Sequence, residues 1–165
     1  MIEFVIVCHE ELAQYLVKVM EFLIKEKLNC QTVAIREGEH PDEHGKKVET
    51  ALKAAAGRDD HPVLVFTDLF GGTACNVSLA HLRKDRVEVL SGVNLAMLMR
   101  AWQWRRRHPE TTLGELANEC ARFAMEGIRV CSTGMPMVHP KDAAQKAKSE
   151  KDKTKKEKKN ARENR

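Results

Sequence analysis

The 165-residue chain is long enough for one domain with a hydrophobic core and leaves little room for a second. Hydrophobic residues make up 42% of it and charged residues 32%, and no apolar run approaches the roughly 18–20 residues that span a bilayer. The net charge of +4 arises near the C-terminus, because residues 139–165 carry 11 Lys and Arg against 5 Asp and Glu, so the rest of the chain is slightly acidic.

The first part of the chain alternates between a strand pattern and a helix pattern. Residues 2–7 (IEFVIV) form a β-branched, nearly continuous apolar run, which is typical of a strand covered on both faces. Residues 10–27 switch to helical spacing, and 31–36 (QTVAIR) predict a second strand. The predicted apolar stripe of this first helix comprises Leu12, Leu16, Val19 and Leu23, with Tyr15 and Met20 beside it.

The middle of the chain repeats the alternation. Pro41 and Asp42 predict the start of a second helix, which Gly57 is well placed to end. Residues 62–67 (PVLVFT) are the most apolar predicted strand, and a helix is expected from about 74 to 83. The buried stripe of the second helix is predicted to be Val48, Ala51, Leu52 and Ala55.

Residues 87–132 continue the alternation of strands and helices. They predict a fourth strand at 87–90, a helix from Leu95, and a further helix that starts at a Thr112-x-x-Glu115 capping box. Residues 127–132 (GIRVCS) predict a final strand. The apolar side of the last helix is predicted to be Leu113, Leu116, Ala117, Cys120 and Ala124.

Strands that alternate with helices predict βαβ units, and therefore a single-domain α/β fold with an open, mainly parallel sheet and helices on both faces. We expect this domain to span 1–132. From about His139 the apolar pattern is lost, so we expect 133–165 to be a basic, disordered or weakly helical tail.

The cysteines and the N-terminus bear on the cellular compartment. The five cysteines, at 8, 30, 75, 120 and 131, are odd in number and show no Cys-x-x-Cys spacing, which favours reduced thiols over disulfides or a zinc site. The N-terminus has no basic region before an apolar stretch, so no signal peptide is expected. Together these features predict a cytoplasmic protein.

Chemistry-bearing residues follow two of the predicted strands, at the edge of the sheet where ligands bind in open α/β folds. The first strand leads into His9, and the third leads into Asp68, followed by Gly71, Gly72 and Thr73. If these strands are neighbours, a carboxylate that accepts from one ring nitrogen of His9 would leave the other unprotonated and nucleophilic. The two glycines would let backbone N–H groups approach an anion closely.

Each of these signals also has a simpler interpretation. A histidine at a strand end is commonly a polar cap, a Gly-Gly pair commonly forms a turn, and Asp68 could cap that turn. Cys8 is interpreted as a small buried strand residue rather than a nucleophile. His40 and His44 flank Pro41 without further ligands nearby, so no metal site is expected there.

Three stretches, in this order and spacing, resemble a known family. They are the strand that ends at His9, the loop at 68–76 (DLFGGTACN), and the segment at 88–98 (EVLSGVNLAML). The combination of D-x-x-G-G-[ST] with G-V-N-x-x-M-L is unusual. Over about residues 1–132 the chain resembles the EIIA domain of the mannose-type (mannose/fructose/sorbose) sugar phosphotransferase system.

The resemblance implies a phosphohistidine carrier that serves as a phosphotransferase component rather than as a stand-alone metabolic enzyme. The histidine phosphocarrier protein HPr would phosphorylate His9, at Nε2, and His9 would pass the group to an EIIB-type acceptor. Asp68 would orient the imidazole, while Gly71, Gly72 and Thr73 would hold the phosphoryl oxygens. Neither a dissociable cofactor nor a metal is expected at this step.

The resemblance also implies a homodimer that exchanges its C-terminal strand, here 127–132, which lies antiparallel at the sheet edge in the family. Exchange would cover an otherwise open edge. Contact with a membrane is expected only indirectly, through a transporter, and nucleic-acid binding is not expected. The basic, aromatic segment 102–108 (WQWRRRH) is interpreted as a solvated helix end.

The chain departs from the family pattern in three places. Glu10 follows the histidine where the family usually has glycine, Thr73-Ala74 replaces Ser-Pro, and the Lys-rich tail is not a family feature. Three alternatives stay open: a regulatory binding module controlled by its phosphorylation state, the phosphotransfer subunit of a dihydroxyacetone kinase, which shares the fold, and an adaptor whose tail binds nucleic acid or an acidic membrane.

Overall fold

A computed structural model describes residues 1–132 of the chain and shows the predicted α/β architecture, in which helices flank a parallel sheet. The elements are β1 (Glu3–His9), α1 (Leu12–Ile24), β2 (Gln31–Ile35), α2 (Pro41–Ala56), β3 (Val63–Thr67), α3 (Thr73–Leu79), β4 (Val87–Ser91), α4 (Leu95–Arg107) and α5 (Leu113–Glu126).

The four strands lie in the order β2-β1-β3-β4, and each neighbouring pair is parallel. β1 is therefore central, between β2 and β3. Val7 pairs in register with Thr67 of β3, and His9 pairs with Ile35 of β2. The ends of β1 and β3 thus meet at one edge of the sheet, which places the segments after Val7 and after Thr67 side by side.

Alternating residues of the central strands fill a core on each face of the sheet. On one face Phe4, Ile6 and Phe66 pack with residues of α1, α4 and α5. On the other face Val5 and Val65 pack with residues of α2 and α3. Both faces of β1 are buried, which explains its continuous apolar sequence.

The predicted helix boundaries of α2 and α5 are confirmed. Pro41 is the first residue of α2, and the helix ends at Gly57, whose φ of 63° is accessible to glycine at low cost. The capping box of α5 is formed, because Glu115 N–H donates to Thr112 Oγ1 (3.3 Å) and Thr112 N–H donates to Glu115 Oε2 (2.9 Å). The five predicted apolar positions of α5 are all buried.

The predicted stripe of α1 is wrong. The fully buried residues of this helix are Ala13 and Met20, whereas Leu12, Val19 and Leu23 of the predicted stripe are exposed. Apolar residues surround more of this helix than one sheet face can cover, and Ala13 is the small residue that lies against the core. The periodicity therefore identified the helix but not the side that faces the sheet.

The segment 102–108 is also less solvated than predicted. The Arg105 side chain is only 12% exposed: its Nη1 donates to the carbonyl of Ile2 (2.7 Å), and its guanidinium lies 4.2 Å from the ring centre of Phe4. Trp104 stacks on His108 with ring centres 4.1 Å apart. A largely buried cation, in contact with a backbone carbonyl and an aromatic ring, thus links the end of α4 to the start of β1.

The predicted final strand is not formed in the single chain. Residues 127–132 adopt turns and irregular backbone. Residues 1–127 form one compact unit, and 128–132 belong to a second. The predicted tail at 133–165 lies outside the described residues. Within residues 1–132 no helix is both long and apolar enough to cross a bilayer.

Candidate active site

The adjacent ends of β1 and β3 bring His9 and Asp68 into direct contact. His9 Nδ1 lies 2.9 Å from Asp68 Oδ2, and the same oxygen accepts a hydrogen bond from the backbone N–H of His9 (2.8 Å). The second carboxylate oxygen, Oδ1, accepts from the N–H of Leu69 (2.8 Å). The carboxylate is thus held by two backbone donors while it holds the imidazole.

Asp68 is held in its ionised form. Its side chain is only 14% exposed, and this burial acts to raise its pKa. The hydrogen bonds from the backbone and ring of His9 and from Leu69 N–H outweigh that effect, so the pKa of Asp68 lies below its ordinary value. At neutral pH the carboxylate therefore accepts hydrogen bonds and does not donate them.

This arrangement determines the tautomer of His9. Because an ionised Asp68 can only accept, Nδ1 of His9 carries the proton in their hydrogen bond. In the neutral ring Nε2 is then unprotonated, with a lone pair available to an electrophile. The His9 side chain is 45% exposed, so a reactant can reach the ring.

The loop after Asp68 turns tightly beside the imidazole. Gly72 N–H donates to Leu69 O (3.1 Å), and Gly71 has a φ of 78° at the third position of this turn, where a positive φ favours glycine. A Cβ on Gly72 would lie 3.2 Å from Leu69 O and 3.4 Å from His9 Cε1. Gly72 therefore leaves space beside the ring, while its own N–H is used within the turn.

Asn76 has a positioning role that the sequence interpretation did not assign. Its side-chain Nδ2 donates to the carbonyl of Gly71 (2.9 Å), and its backbone N–H donates to the carbonyl of Gly72 (2.9 Å). α3 thereby holds both glycines of the loop. Asn76 was part of the matched stretch at 68–76, but its spacing alone gave no signal for this contact.

Glu10 adopts a left-handed backbone conformation, with a φ of 48°. This conformation costs little for glycine and more for other residues, which gives a physical reason for the glycine that the family usually has after its histidine. The Glu10 N–H donates to Ile35 O (3.0 Å), and Glu10 Oε1 accepts from Glu37 N–H (3.3 Å). These two bonds hold the turn between β1 and α1 next to the end of β2.

The other candidate residues lie in structural positions. Burial, followed by the negative charge of Asp68, raises the pKa of the Cys8 thiol to about 12, so it is protonated and inert at neutral pH. His40 caps α2 by accepting from Asp42 N–H (3.3 Å), and buried His44 lies 3.2 Å from Glu39. Within residues 1–132, no group of three or more His, Cys, Asp or Glu side chains is arranged to hold a metal.

Two large apolar side chains border the site. Leu69 and Phe70 lie directly between Asp68 and the two glycines, and both are exposed, Phe70 by 81%. Exposed apolar side chains beside a reactive group are typical of a surface that docks another protein. The sequence showed these residues, but not that the turn would expose them.

The fold and this site define a class of protein: a small parallel α/β domain that presents an oriented histidine at the carboxyl end of its first strand. Within that class, the family model described as the fructose IIA component of the phosphotransferase system (EIIA-man) matches residues 3–120. The chain belongs to this family, and it is thus an EIIA component of the sugar phosphotransferase system with a phosphotransferase role.

Individual relatives agree with this assignment. The fructose-specific EIIA component of Bacillus subtilis (strain 168) is 29% identical over 114 residues, which are 68% of this chain and 75% of that protein. The crystal structure of phosphotransferase system component EIIA from Streptococcus agalactiae has a TM-score of 0.67 at 29% identity, and the match covers 81% of this chain and 100% of that one.

The fold is shared with more distant structures. The mannose/sorbose-specific IIA subunit from Enterococcus faecalis has a TM-score of 0.69 at 23% identity, with 83% of this chain and 98% of that chain covered. The predicted fold class is therefore confirmed as an open parallel α/β sheet with helices on both faces, without the antiparallel edge strand in the single chain.

Proposed function

We propose that the chain is a phosphohistidine carrier that accepts a phosphoryl group from HPr on His9 and passes it to an EIIB-type acceptor. The observation that carries this proposal is the 2.9 Å contact between His9 Nδ1 and the ionised Asp68. It accounts for a nucleophilic Nε2 on a half-exposed ring, and the family membership supplies the reaction class.

In the proposed step the lone pair of Nε2 forms the new N–P bond as the N–P bond to the donor histidine breaks, and the donor nitrogen recovers that electron pair. The imidazole ring of His9, still protonated at Nδ1, then carries a positive charge, and the adjacent Asp68 carboxylate stabilises that charge. The transfer requires positioning and charge stabilisation rather than a cofactor from this chain.

We assign the phosphoryl oxygens to the loop at 71–73. Thr73 begins α3, and the first N–H groups of a helix have no acceptor within it. Because the Gly72 N–H is used in the turn, Gly72 contributes the open space beside His9 Cε1, and Gly71 and Thr73 contribute the donors. Leu69 and Phe70 are the apolar contacts offered to the donor and acceptor proteins.

The proposal includes the homodimer that the family resemblance implies. In it, residues 127–132 of one copy would pair antiparallel with β4, an edge strand of the sheet, in the other copy. Residues 127–132 adopt turns and irregular backbone in the single chain, so this pairing would convert them to a strand. Sedimentation of the full chain should then give a dimer, and a monomer at all concentrations would contradict this part of the proposal.

The phosphoryl-transfer proposal is tested by incubating the full chain with phosphoenolpyruvate, enzyme I and HPr, followed by intact-mass measurement. One acid-labile phosphoryl group is expected, and His9→Ala should remove it. His40→Ser is the matched control, because it replaces an exposed histidine with another residue that can cap α2. Equal labelling of the His9→Ala variant would refute the proposal.

A second candidate function is favoured by the exposure of Phe70 beside His9. In a regulatory module, phosphorylation of His9 would place two negative charges next to an apolar contact surface and release a partner. The two functions differ in whether phosphorylated protein transfers its label to a mannose-type EIIB protein. Labelled protein that never loses its phosphoryl group to EIIB would favour the regulatory module.

A further inference from the structure

The outer face of α1 carries a continuous apolar ridge that no described element covers. The ridge consists of Leu12, Tyr15, Val19, Phe22 and Leu23, and each of these side chains is exposed, Tyr15 by 60% and Phe22 by 68%. Their spacing places them on one side of the helix over roughly 16 Å. A patch of this kind on a folded domain marks a surface that binds something.

The charges that border the ridge are arranged unequally. Each of three carboxylates is ion-paired: Glu11 with Arg36 (2.8 Å), Glu21 with Lys27 (2.9 Å), and Glu26 with Arg106 (3.0 Å), all on or beside α1. Within residues 1–132, Lys18 and Lys25 form no ion pair.

These two lysines lie against the ridge itself. Lys18 Nζ is 5.0 Å from the ring centre of Tyr15, and Lys25 Nζ is 3.9 Å from that of Phe22. Their stems extend the apolar surface while the ammonium groups stay at its margin. The ridge therefore combines apolar side chains with two ammonium groups that form no ion pair within the described residues.

We propose that the apolar ridge of α1 docks on the surface of an anionic lipid bilayer. A single helix face with aromatic and aliphatic side chains flanked by lysines is the pattern that inserts into the headgroup region. The aromatic rings would enter the acyl boundary, and Lys18 and Lys25 would meet lipid phosphates.

The charges favour lipid over a second copy of the chain. A second copy would present the same two unpaired lysines and the same already paired carboxylates, so it offers no complementary anion. This docking is independent of the phosphocarrier role. We therefore expect the Phe22→Ser variant to be phosphorylated on His9 like the unmodified chain.

The test is flotation of the full chain with vesicles of phosphatidylcholine, with and without phosphatidylglycerol. Binding to the anionic vesicles is expected, with weak binding to neutral ones. Phe22→Ser should lower the partition coefficient roughly tenfold, from the loss of one buried aromatic side chain. Lys18→Glu should lower it by roughly fivefold or more. High salt should weaken the lysine effect but not the Phe22 effect.

Leu82→Ser is the matched control, because Leu82 is an exposed apolar residue outside α1, and this variant should bind like the unmodified chain. Equal binding of Phe22→Ser and the unmodified chain would overturn the proposal, as would absence of binding to anionic vesicles. Self-association that Phe22→Ser abolishes would assign the ridge to a second copy instead. Carbodiimide cross-links within one chain from Lys18 or Lys25 to carboxylates of 133–165 would show that the tail, rather than a bilayer, covers the ridge.

Discussion

Strand β1 carries an ion pair at each end, and the two pairs have opposite surroundings. At its start, Glu3 lies 3.6 Å from Arg105, with side chains only 7% and 12% exposed. At its end, His9 lies 2.9 Å from Asp68, and the His9 ring is half-exposed. In both cases the backbone at that end also takes part, through the carbonyl of Ile2, just before the strand, and through the N–H of His9.

The comparison shows how burial decides what an ion pair does. Both members of the Glu3–Arg105 pair are enclosed, and the ring of Phe4 covers the guanidinium, so no reactant can reach it. At the other end, only the carboxylate is enclosed, while the imidazole keeps one side open. A pair closed on both sides can only hold the fold together, whereas a pair open on one side is available for chemistry.

The largest expected effect is on stability and comes from the closed pair, Glu3 with Arg105. Arg105→Ala leaves the buried Glu3 carboxylate without its cation, and we expect it to lower the free energy of unfolding by about 3–5 kcal/mol in urea titrations. Arg106→Ala is the matched control, because the Arg106–Glu26 pair is exposed and should contribute less than about 1 kcal/mol.

If Arg105→Ala proves too unstable to fold, the double variant Glu3→Leu with Arg105→Met keeps the prediction testable. It removes both charges and retains apolar bulk, so most of the stability should return. An Arg105→Ala protein as stable as the Arg106→Ala protein would contradict the assignment of a structural role to this end of β1.

The next effect concerns the open pair, His9 with Asp68, and appears in the rate at which His9 is phosphorylated. Asp68→Asn keeps the size of the side chain and one acceptor oxygen, which can accept from the N–H of His9 or of Leu69 but not from both, so circular dichroism must first show that the variant is folded. The amide no longer stabilises positive charge on the ring or holds one tautomer, so labelling from phosphorylated HPr should slow by about 10²-fold. The measurement is a quenched time course by intact mass.

Asp59→Asn serves as the control for the loss of a carboxylate, because Asp59 is exposed and lies before β3, at the opposite edge of the sheet. It should label at the rate of the unmodified chain. Unchanged kinetics in Asp68→Asn would show that the carboxylate does not orient the imidazole, and the two ends of β1 would then differ in exposure only.

The sequence predicted best what depends on contacts within the chain's own periodic elements. The order of strands and helices was correct as far as α5, and the buried side of α5 was correct at every position. The parallel pairing of β1 with β3 places His9 beside Asp68 as expected. In each case apolar spacing or strand adjacency is the physical cause, and both are visible in the residues.

The sequence failed where a residue's position depends on what lies against it. Arg105 belongs to the segment 102–108, whose composition is typical of a solvated helix end. Its side chain is largely buried only because the end of α4 lies against the start of β1. α1 has more apolar residues than its sheet face can cover, so the spacing could not select the buried side. Residues 127–132 have a strand pattern, but they adopt turns and irregular backbone in the described part of the chain.

A smaller effect should come from the backbone beside the open pair. Glu10→Gly relieves the cost of a left-handed conformation but loses the bond from Glu37 N–H, so we expect a net gain of about 0.5–1 kcal/mol in unfolding free energy. Glu11→Gly is the control, because Glu11 has a φ of −87° and glycine there should destabilise. Equal effects of both variants would show that Glu10 is not strained.

The smallest effect is a pH dependence confined to the open pair. Because the folded-state pKa of Asp68 lies below the unfolded value of about 3.9, the carboxylate contributes stability that is complete above that pH and is lost as the pH falls through the folded-state pKa. The difference in unfolding free energy between the unmodified chain and Asp68→Asn should therefore shrink as the pH falls below about 4.

The same comparison in a His9→Ala background isolates the imidazole's part in this effect. There Asp68 keeps the bonds from the backbone N–H groups of residues 9 and 69 but loses the one from the ring, so its pKa should be less depressed and the decline smaller. Identical acid profiles in the two backgrounds would mean that the ring does not stabilise the ionised carboxylate. The open end of β1 would then hold Asp68 through its backbone alone, and the proposed orientation of His9 would lose its electrostatic basis.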